Sequence, residues 1–475
     1  GTVDYAAFLN QKYSKGVTPE TNASVWYWRA IGPHRETSQK FRDELVELLG
    51  TNVFAGEGPW LLDMGEFGQQ KIRAGVISSQ EQFNAQWEKA TEKPWTEDEY
   101  PLIAEWLKAN EKPLQHVVKA GRQPDYFAPL VDGDPLISTL LTGVQLHREF
   151  ARILVTRAML NAGRKDYDAA SRDLMSMFHL AYQTGRGPTA IEGLVGCAIT
   201  AIAEDALQKT ITGTDIDEKQ LAKLQQELST LTPAFDVIRA LDECERCVCL
   251  DAIQYVTKRN SDSVVDLLDL NFRNVDPLVR LMQLGLLKTD VDWNVALQRI
   301  NIHMDEMIEI QKLASYAERK QGFAEFCNRN AETQRKVNSI PFLAVSFIIP
   351  ESGDERVGQL LETSLLPALQ QIGEAANRAE VRRRVSPLGC AIERYRRLKG
   401  NYPPNLAALV PTYISELPTD PYTDKGFHFR VNSDRSEFAV FTFGPNERDD
   451  NGLTWGEGTE TDDMGMHSAG WLSVK

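Results

Sequence analysis

The sequence predicts a mainly α-helical protein, with a multi-helix body followed by a small α+β module that contains a short antiparallel sheet. Helical periodicity recurs, with short turns, between residues 135 and 337. A further helical stretch, 357–399, is stopped by Gly-Asn and two prolines. Two β-rich segments, 427–431 and 438–443, then follow on either side of a polar Asn-Ser-Asp turn. The acidic residues after these segments are predicted to form loops.

The chain length indicates more than one domain. At 475 residues the chain exceeds the size at which single hydrophobic cores stop growing. The composition shifts beyond Gly353, where the helical repeats give way to the stretch before the β-rich segments. We therefore predict a helical body with a loop-rich N-terminal part over residues 1–355, and the C-terminal module over residues 356–475.

Two helix starts in the body carry capping signals. Thr96 stands three residues before Glu99, the spacing of a capping box, and an apolar stripe follows at helical spacing. Asp215 and Glu218 show the same spacing before a second stripe. We expect the two stripes to be buried; they are Leu102, Ile103, Trp106 and Leu107, and Leu221, Leu224, Leu228 and Leu231.

Two neighbouring predicted helices in the body are rich in small residues. Segments 157–163 and 167–181 both carry small alanines, which would let two helices approach closely, and Gly163 is predicted to permit the turn between them. The pair resembles a tetratricopeptide hairpin. No clean period repeats this unit along the chain. A solenoid of such hairpins therefore remains one hypothesis for the helical body.

Charge and hydropathy exclude some classes of partner. The formal net charge of -15 argues against nucleic acid, because phosphate binding depends on clustered Lys and Arg. The longest apolar run, 340–349, is about half the ~20 residues that span a bilayer, so we expect a buried strand or core segment there and no transmembrane segment. No charged segment followed by an apolar stretch is found near Gly1.

The last fifth of the chain contains five distinctive segments in a fixed order: Ala-Ile-Glu-Arg-Tyr-Arg at 391–396, Gly-Asn-Tyr-Pro at 400–403, Leu-Val-Pro at 409–411, Leu-Pro-Thr-Asp-Pro at 417–421, and the strand-like run 438–446. In this order the segments resemble the globular part of major type II secretion pseudopilins. The arrangement as a whole also looks like that of bacterial envelope proteins that join a helical region to this ending. The resemblance implies a location in the bacterial cell envelope or periplasm. A pseudopilin begins with an apolar N-terminal helix, whereas here the module ends a long helical chain.

The resemblance also implies a calcium loop after the second β-rich segment. Calcium takes six to eight oxygen ligands and favours carboxylates, carbonyls and water. In this chain Asn446 occupies the place of a ligating Asp, and an amide oxygen can also ligate. The predicted ligands are Asn446, Asp449, Asp450, Asp462 and Asp463. A solvated acidic loop is the alternative interpretation of the same residues.

Other groups of metal-ligating residues are weaker candidates. Cys244, Cys247 and Cys249 lie close in sequence, but on a helix Cys249 points away from Cys244, and free Cys is often a small buried hydrophobe. We predict that these three cysteines pack in the core and bind no metal. His303 and Glu306 share one helix face without a second copy of the motif, which favours a solvated surface. His147 and His179 lie in apolar helical stretches and are predicted to be core histidines.

Three functions remain open at this point. The first is a non-catalytic cell-envelope binding or structural protein, with a helical body that binds a protein or glycan partner and a calcium-stabilised C-terminal module. The second is a hydrolase with a carboxylate-lined cleft between the helical body and the module. The third is a tetratricopeptide-like scaffold that binds a peptide. No nucleophile elbow, Walker loop, dinucleotide fingerprint or zincin helix is present, which favours the non-catalytic hypotheses.

Overall fold

The computed structural model is mainly helical, with a small antiparallel sheet near the C-terminus, as predicted. It describes residues 3–56, 58–131, 136, 142–258, 292–337, 359, 372–450 and 462–471. The run 340–349, predicted to be a buried strand or core segment, lies outside the described residues. None of the helices within these ranges is long and apolar enough to cross a membrane.

Short helices fill the N-terminal part, and longer ones follow. In chain order they are α1 (Tyr5–Tyr13), α2 (Ala23–Ile31), α3 (Gln39–Leu49), α4 (Met64–Arg73), α5 (Gln80–Glu92), α6 (Pro101–Ala109), α7 (Glu111–Ala120), α8 (Thr142–Gly163), α9 (Tyr167–Gly185), α10 (Ala190–Gly213) and α11 (Glu218–Ser229).

The remaining elements close the body and build the C-terminal module. They are α12 (Val237–Arg239), a π-helical segment (Ala240–Glu245), α13 (Arg246–Lys258), α14 (Trp293–Gln311), α15 (Tyr316–Val337), α16 (Ile372–Lys399), a 3₁₀ turn (Leu406–Leu409), and strands β1 (His428–Val431), β2 (Phe438–Thr442) and β3 (Met464–His467).

The capping signals locate helices only approximately. The Glu99 carboxylate accepts from the Thr96 backbone N–H at 2.8 Å, yet α6 begins later, at Pro101. The start of α11 differs too, because Asp217 and Gln220 form its capping box in place of Asp215 and Glu218. The two predicted stripes are nevertheless buried, except for Leu231, which is partly buried.

Helices α8, α9 and α10 pack against one another in sequence and form the centre of the body. The predicted hairpin of α8 and α9 is present, but the role of Gly163 differs from the expectation. A Cβ atom at Gly163 would lie 1.9 Å from the carbonyl oxygen of Trp95, so the glycine permits a close approach of that backbone. The left-handed residue of the turn is Lys165, with φ of 61°.

The sheet has the order β1-β2-β3, and both strand pairs are antiparallel. His428 pairs with Phe441 across β1 and β2, and Thr442 pairs with Met464 across β2 and β3. All five residues of β2 are buried because the strand is central to the sheet and covered by α16. Strand β3 corrects the prediction that the acidic ending is only loop.

Helix α16 joins the sheet to the helical body. It packs against α10 and α11 on one side and against β2 and β3 on the other. A Cβ atom at Gly389 would lie 2.2 Å from the Met466 sulfur, so this glycine lets β3 lie directly on the helix. On the body side, the Arg394 guanidinium contacts Glu218 at 2.6 Å. The apolar core therefore runs without a break from the body into the module.

Glu393 fixes the C-terminal end of α16. Its side chain is fully buried, and its carboxylate accepts from the Tyr402 hydroxyl at 2.7 Å and from Arg396 Nε at 2.9 Å. Burial and the adjacent Glu393 carboxylate raise the pKa of Tyr402, which keeps the hydroxyl protonated as a donor. The Tyr402 ring packs on Phe438 of β2, with ring centroids 4.6 Å apart. One buried carboxylate thus ties the helix end to the sheet.

We expect Tyr402→Phe to lower the free energy of unfolding by about 1–2 kcal/mol, because it removes a donor from a buried carboxylate and keeps the ring. Tyr395→Phe is the matched control within α16, since the Tyr395 hydroxyl makes no hydrogen bond with the described residues. Its effect should stay within about 0.5 kcal/mol. Urea unfolding with an unchanged m-value measures both variants. Equal losses in the two variants would contradict the role given to Glu393.

Candidate metal centre

The register of the sheet brings the two acidic segments of the C-terminal module to one edge. Thr442 at the end of β2 pairs with Met464 at the start of β3. Residues that follow β2 and residues that precede β3 therefore lie side by side. Gly444 makes the turn out of β2 with φ of 63°, and a Cβ atom there would lie 2.4 Å from the carbonyl oxygen of Asp462.

Three carboxylates converge at this edge. One ligand oxygen each of Asp450, Asp462 and Asp463 lies within 4.8 Å of the other two. Backbone hydrogen bonds hold them in place, because Asp450 N donates to Asp463 Oδ2 and Asp462 N donates to Asp450 Oδ2, each at 3.0 Å. Asp463 is fully buried, and Oδ1 of Asp462 is buried without a hydrogen-bond donor among the described residues. We call these three residues the carboxylate cluster.

Asn446 lies beside the carboxylate cluster. Its backbone N–H donates to Asp462 Oδ2 at 3.0 Å, and its side-chain Nδ2 donates to Asp450 Oδ2 at 3.1 Å. Its Oδ1 accepts from the backbone N–H of Arg448 at 2.6 Å. In this orientation the amide supplies donors to the carboxylates. The side chain would have to rotate to offer its oxygen to a cation.

Asp449 is not brought into the carboxylate cluster. Its carboxylate forms an ion pair with Arg430 of β1. The structure therefore places four of the five predicted ligands together, and Asp449 beside a strand that the sequence pattern did not connect with it. With one oxygen from each, three carboxylates and one amide supply four ligand atoms, so a calcium ion here would need bidentate carboxylates or further carbonyl or water ligands to reach six to eight.

The electrostatic surroundings of Asp462 disfavour its ionised form. Burial raises the pKa of Asp462, and the neighbouring Asp450 charge raises it further, while a backbone hydrogen bond from Asn446 opposes the shift. Helix α16 also contributes opposing charges near Asp462, with Arg378 lowering the pKa and Glu374 raising it. A cation would relieve the repulsion between the carboxylates.

A contact from the helical body supports the same loop, and sequence reasoning missed it. Lys320 of α15 donates to the carbonyl oxygen of Pro445 at 2.9 Å and to the Glu447 carboxylate at 3.0 Å. Glu447 has a positive φ of 58°. No local pattern pairs residues 320 and 447, because the contact arises only when α15 packs beside the module.

The three clustered cysteines are buried in two separate cores. Cys244 and Cys247 pack with Leu9, whereas Cys249 lies in another apolar cluster with Ile253. Burial raises the pKa of all three thiols, that of Cys247 to about 11. The structure therefore shows the predicted core packing of these side chains.

The histidine candidates occupy polar or packed positions. His147 is buried, its Nδ1 lies 2.8 Å from Thr184 Oγ1, and burial lowers the pKa of His147 to about 3, as expected of a core histidine. His179 is partly buried, and burial lowers its pKa as well. His303 Nδ1 contacts the carbonyl oxygen of Arg299, while Glu306 forms an ion pair with Arg329.

Comparison with known protein families, with curated proteins and with solved structures finds no match for this chain. The resemblance to pseudopilins therefore rests on the sequence segments alone.

The raised pKa of Asp462 predicts a pH dependence in the absence of divalent cations. Its contribution to stability is fully present below the ordinary Asp pKa of 3.8 and is lost as the pH rises through the raised folded-state value. In chelator at neutral pH, the neutral variant Asp462→Asn should therefore be more stable than the wild type. We expect about 1 kcal/mol, the value for like charges at this spacing under strong solvent screening.

Denaturant unfolding of both proteins between neutral pH and about pH 3 measures this difference, which should shrink as the pH falls. A wild-type protein that is the more stable of the two throughout this range would show that the carboxylates do not repel one another.

Proposed function

We propose that this chain is a non-catalytic binding or structural protein of the bacterial cell envelope or periplasm, with a C-terminal module stabilised by calcium and a helical body that binds a protein or glycan partner. The convergence of Asp450, Asp462 and Asp463 from two segments is the observation that supports the calcium part. The envelope location is supported by the sequence resemblance to pseudopilins.

The geometry explains what calcium would do in the module. The carboxylate cluster bridges the residues after β2 and those before β3, so an ion held there crosslinks the central strand and an edge strand. The same loop contacts Lys320 of the body. Ordering this loop would therefore stiffen the sheet and also the contact between the loop and α15.

Calcium at about 100 times its dissociation constant should raise the free energy of unfolding by about 2.7 kcal/mol. Asp462→Asn should abolish most of this gain, because it removes a charged ligand from the carboxylate cluster. Asp449→Asn should keep it, because Asp449 pairs with Arg430 instead. Thermal melts in calcium and in chelator measure the three proteins.

Coincident wild-type melts in calcium and in chelator would mean that the loop is only a solvated acidic segment. A calcium response lost in Asp449→Asn as well would mean that the ion recruits all five residues predicted from the sequence.

The partner-binding role has its own test. Crosslinking and immunoprecipitation from bacterial envelope fractions, with the calcium-saturated protein as bait, should recover the same protein or glycan in repeated preparations. The same bait in a cytoplasmic fraction is the control. Recovery from the cytoplasmic fraction alone would contradict the envelope location.

The two other hypotheses remain predictions. The hydrolase hypothesis needs a cleft between body and module, where α16 packs directly on α10 and α11. The tetratricopeptide hypothesis needs a regular superhelix, and it has the support of the α8 and α9 hairpin. Neither has a further observation in its favour.

A further inference from the structure

A long groove crosses the N-terminal part of the body, far in sequence from the carboxylate cluster. Two cavities, of about 1020 and 570 Å³, form it and share four lining residues: His34, Arg35, Gly65 and Gln80. These volumes are in the range of sites for small ligands. We call the two cavities together the N-terminal groove.

One wall of the N-terminal groove is held rigidly by hydrogen bonds. The backbone N–H of Leu61 donates to the carbonyl oxygen of Ala30 at 2.8 Å. The carbonyl oxygen of Leu62 accepts from Trp106 Nε1 at 2.8 Å and from the Asn110 amide at 3.0 Å. The loop that carries Trp60 is therefore fixed on α2 and α6 before any ligand arrives.

Two indole rings lie along the N-terminal groove. Trp60 lines the larger cavity and is 38% exposed, although its ring lies so close to Gly32 that a Cβ atom there would be 2.2 Å from it. Trp87 lines the smaller cavity, and its Nε1 donates to Thr156 Oγ1 at 2.9 Å. An exposed aromatic ring held in one position is a platform for an apolar ligand face.

Cations without carboxylate partners line the larger cavity of the groove. Arg35, Arg73 and Lys108 line the larger cavity, and none of them forms a salt bridge with the described residues. Glu66 is the carboxylate that lines this cavity. The smaller cavity has no such excess, because Arg152 pairs there with Glu149, and Glu36, Asp63 and Glu88 also line it. In a protein with a net charge of -15, the excess of positive charge therefore lies in the larger cavity.

Side-chain amides complete the lining. Gln69, Gln70 and Gln80 lie along the larger cavity, and Oε1 of Gln80 is buried without a donor among the described residues. Amides offer donors and acceptors from one plane, and guanidinium groups pair with carboxylates through two parallel bonds. A sugar ring presents an apolar C–H face and a rim of hydroxyl groups. A uronic acid adds a carboxylate.

We propose that the larger cavity of the N-terminal groove binds an acidic oligosaccharide that carries carboxylate groups. A sugar ring stacks on Trp60, the hydroxyl groups bond the amides, and the carboxylates face Arg35, Arg73 and Lys108. This inference rests on the proposed binding role of the helical body and names the ligand class and the place. It does not depend on calcium, because the groove contains no residue of the carboxylate cluster.

Isothermal titration of the full chain with α-1,4-linked tetragalacturonate, a tetramannuronate and a hyaluronate tetrasaccharide tests the proposal. At least one should bind with a dissociation constant below about 1 mM. The carboxyl-reduced, neutral form of that saccharide should bind at least about tenfold more weakly. Added salt should weaken binding of the acidic form, because the cations are solvent-exposed.

Matched variants locate the site. Trp60→Ala and Arg73→Gln should each weaken binding at least about tenfold, whereas Trp60→Phe, which keeps an aromatic platform, should restore most of it. Arg122→Gln removes an exposed arginine outside the groove and should leave binding unchanged. Circular dichroism melts confirm that each variant is folded.

Three outcomes would overturn the inference. They are no binding of any of the three acidic saccharides by the folded wild type, binding that Arg73→Gln and Arg122→Gln weaken equally, and equal binding of tetraglutamate, which would indicate an acidic peptide site. A calcium-dependent melt together with any of these outcomes would leave the calcium module standing and refute the groove alone. Saccharide binding without a calcium response would support the groove and refute the calcium module alone.

Discussion

The fold of the C-terminal region depends on the buried carboxylate of Glu393. A fully buried charge is costly unless it is paired and hydrogen-bonded. Glu393 meets that condition through Arg396 on its own helix and the hydroxyl of Tyr402 beyond the helix end. Glu393 needs the Tyr402 hydroxyl as a hydrogen-bond donor, so the chain must turn just after α16. Because the Tyr402 ring also packs on Phe438, the same contact sets the position of β2. The position of the carboxylate cluster at the far end of β2 follows from that placement.

Asp420 is a second buried carboxylate that works in the same way. It accepts from the Thr442 hydroxyl at 2.7 Å and from the backbone N–H of Tyr422 at 2.9 Å, so it fastens the loop before β1 to the last residue of β2. Glu393 and Asp420 both belong to sequence segments that resemble pseudopilins. In this chain the two carboxylates hold helix, loop and sheet together. The segments that resemble pseudopilins therefore contain structural residues as well as Asn446, one of the proposed calcium ligands.

The sequence predicted those features that repeat or lie close together, and it missed features that need distant partners. The apolar stripes of the helices were predictable because their periodicity records which face is buried. The first two strands were predictable because two β-rich runs flank a polar turn. The start of α11 was missed by two residues because Asp215 and Asp217 are both good caps. Asp449 was grouped with its neighbours because only the packing of β1 reveals the ion pair with Arg430. The N-terminal groove had no sequence signal at all, since it arises where Gly32 lets the Trp60 loop lie on α2.

The two proposed sites place opposite charges at separate places in one molecule. At the module edge, three carboxylates come together in a net-negative protein, and backbone N–H donors and Arg378 offset only part of their repulsion, since the pKa of Asp462 is still raised. In the larger cavity of the N-terminal groove, Arg35, Arg73 and Lys108 form no salt bridge with the described residues, although acidic residues outnumber basic ones in the chain. Charges that fold stability alone required would be expected to pair within the chain, as Arg394 does with Glu218. We therefore propose ligands of opposite charge for the two places, a cation at the sheet edge and an acidic saccharide in the larger cavity of the groove.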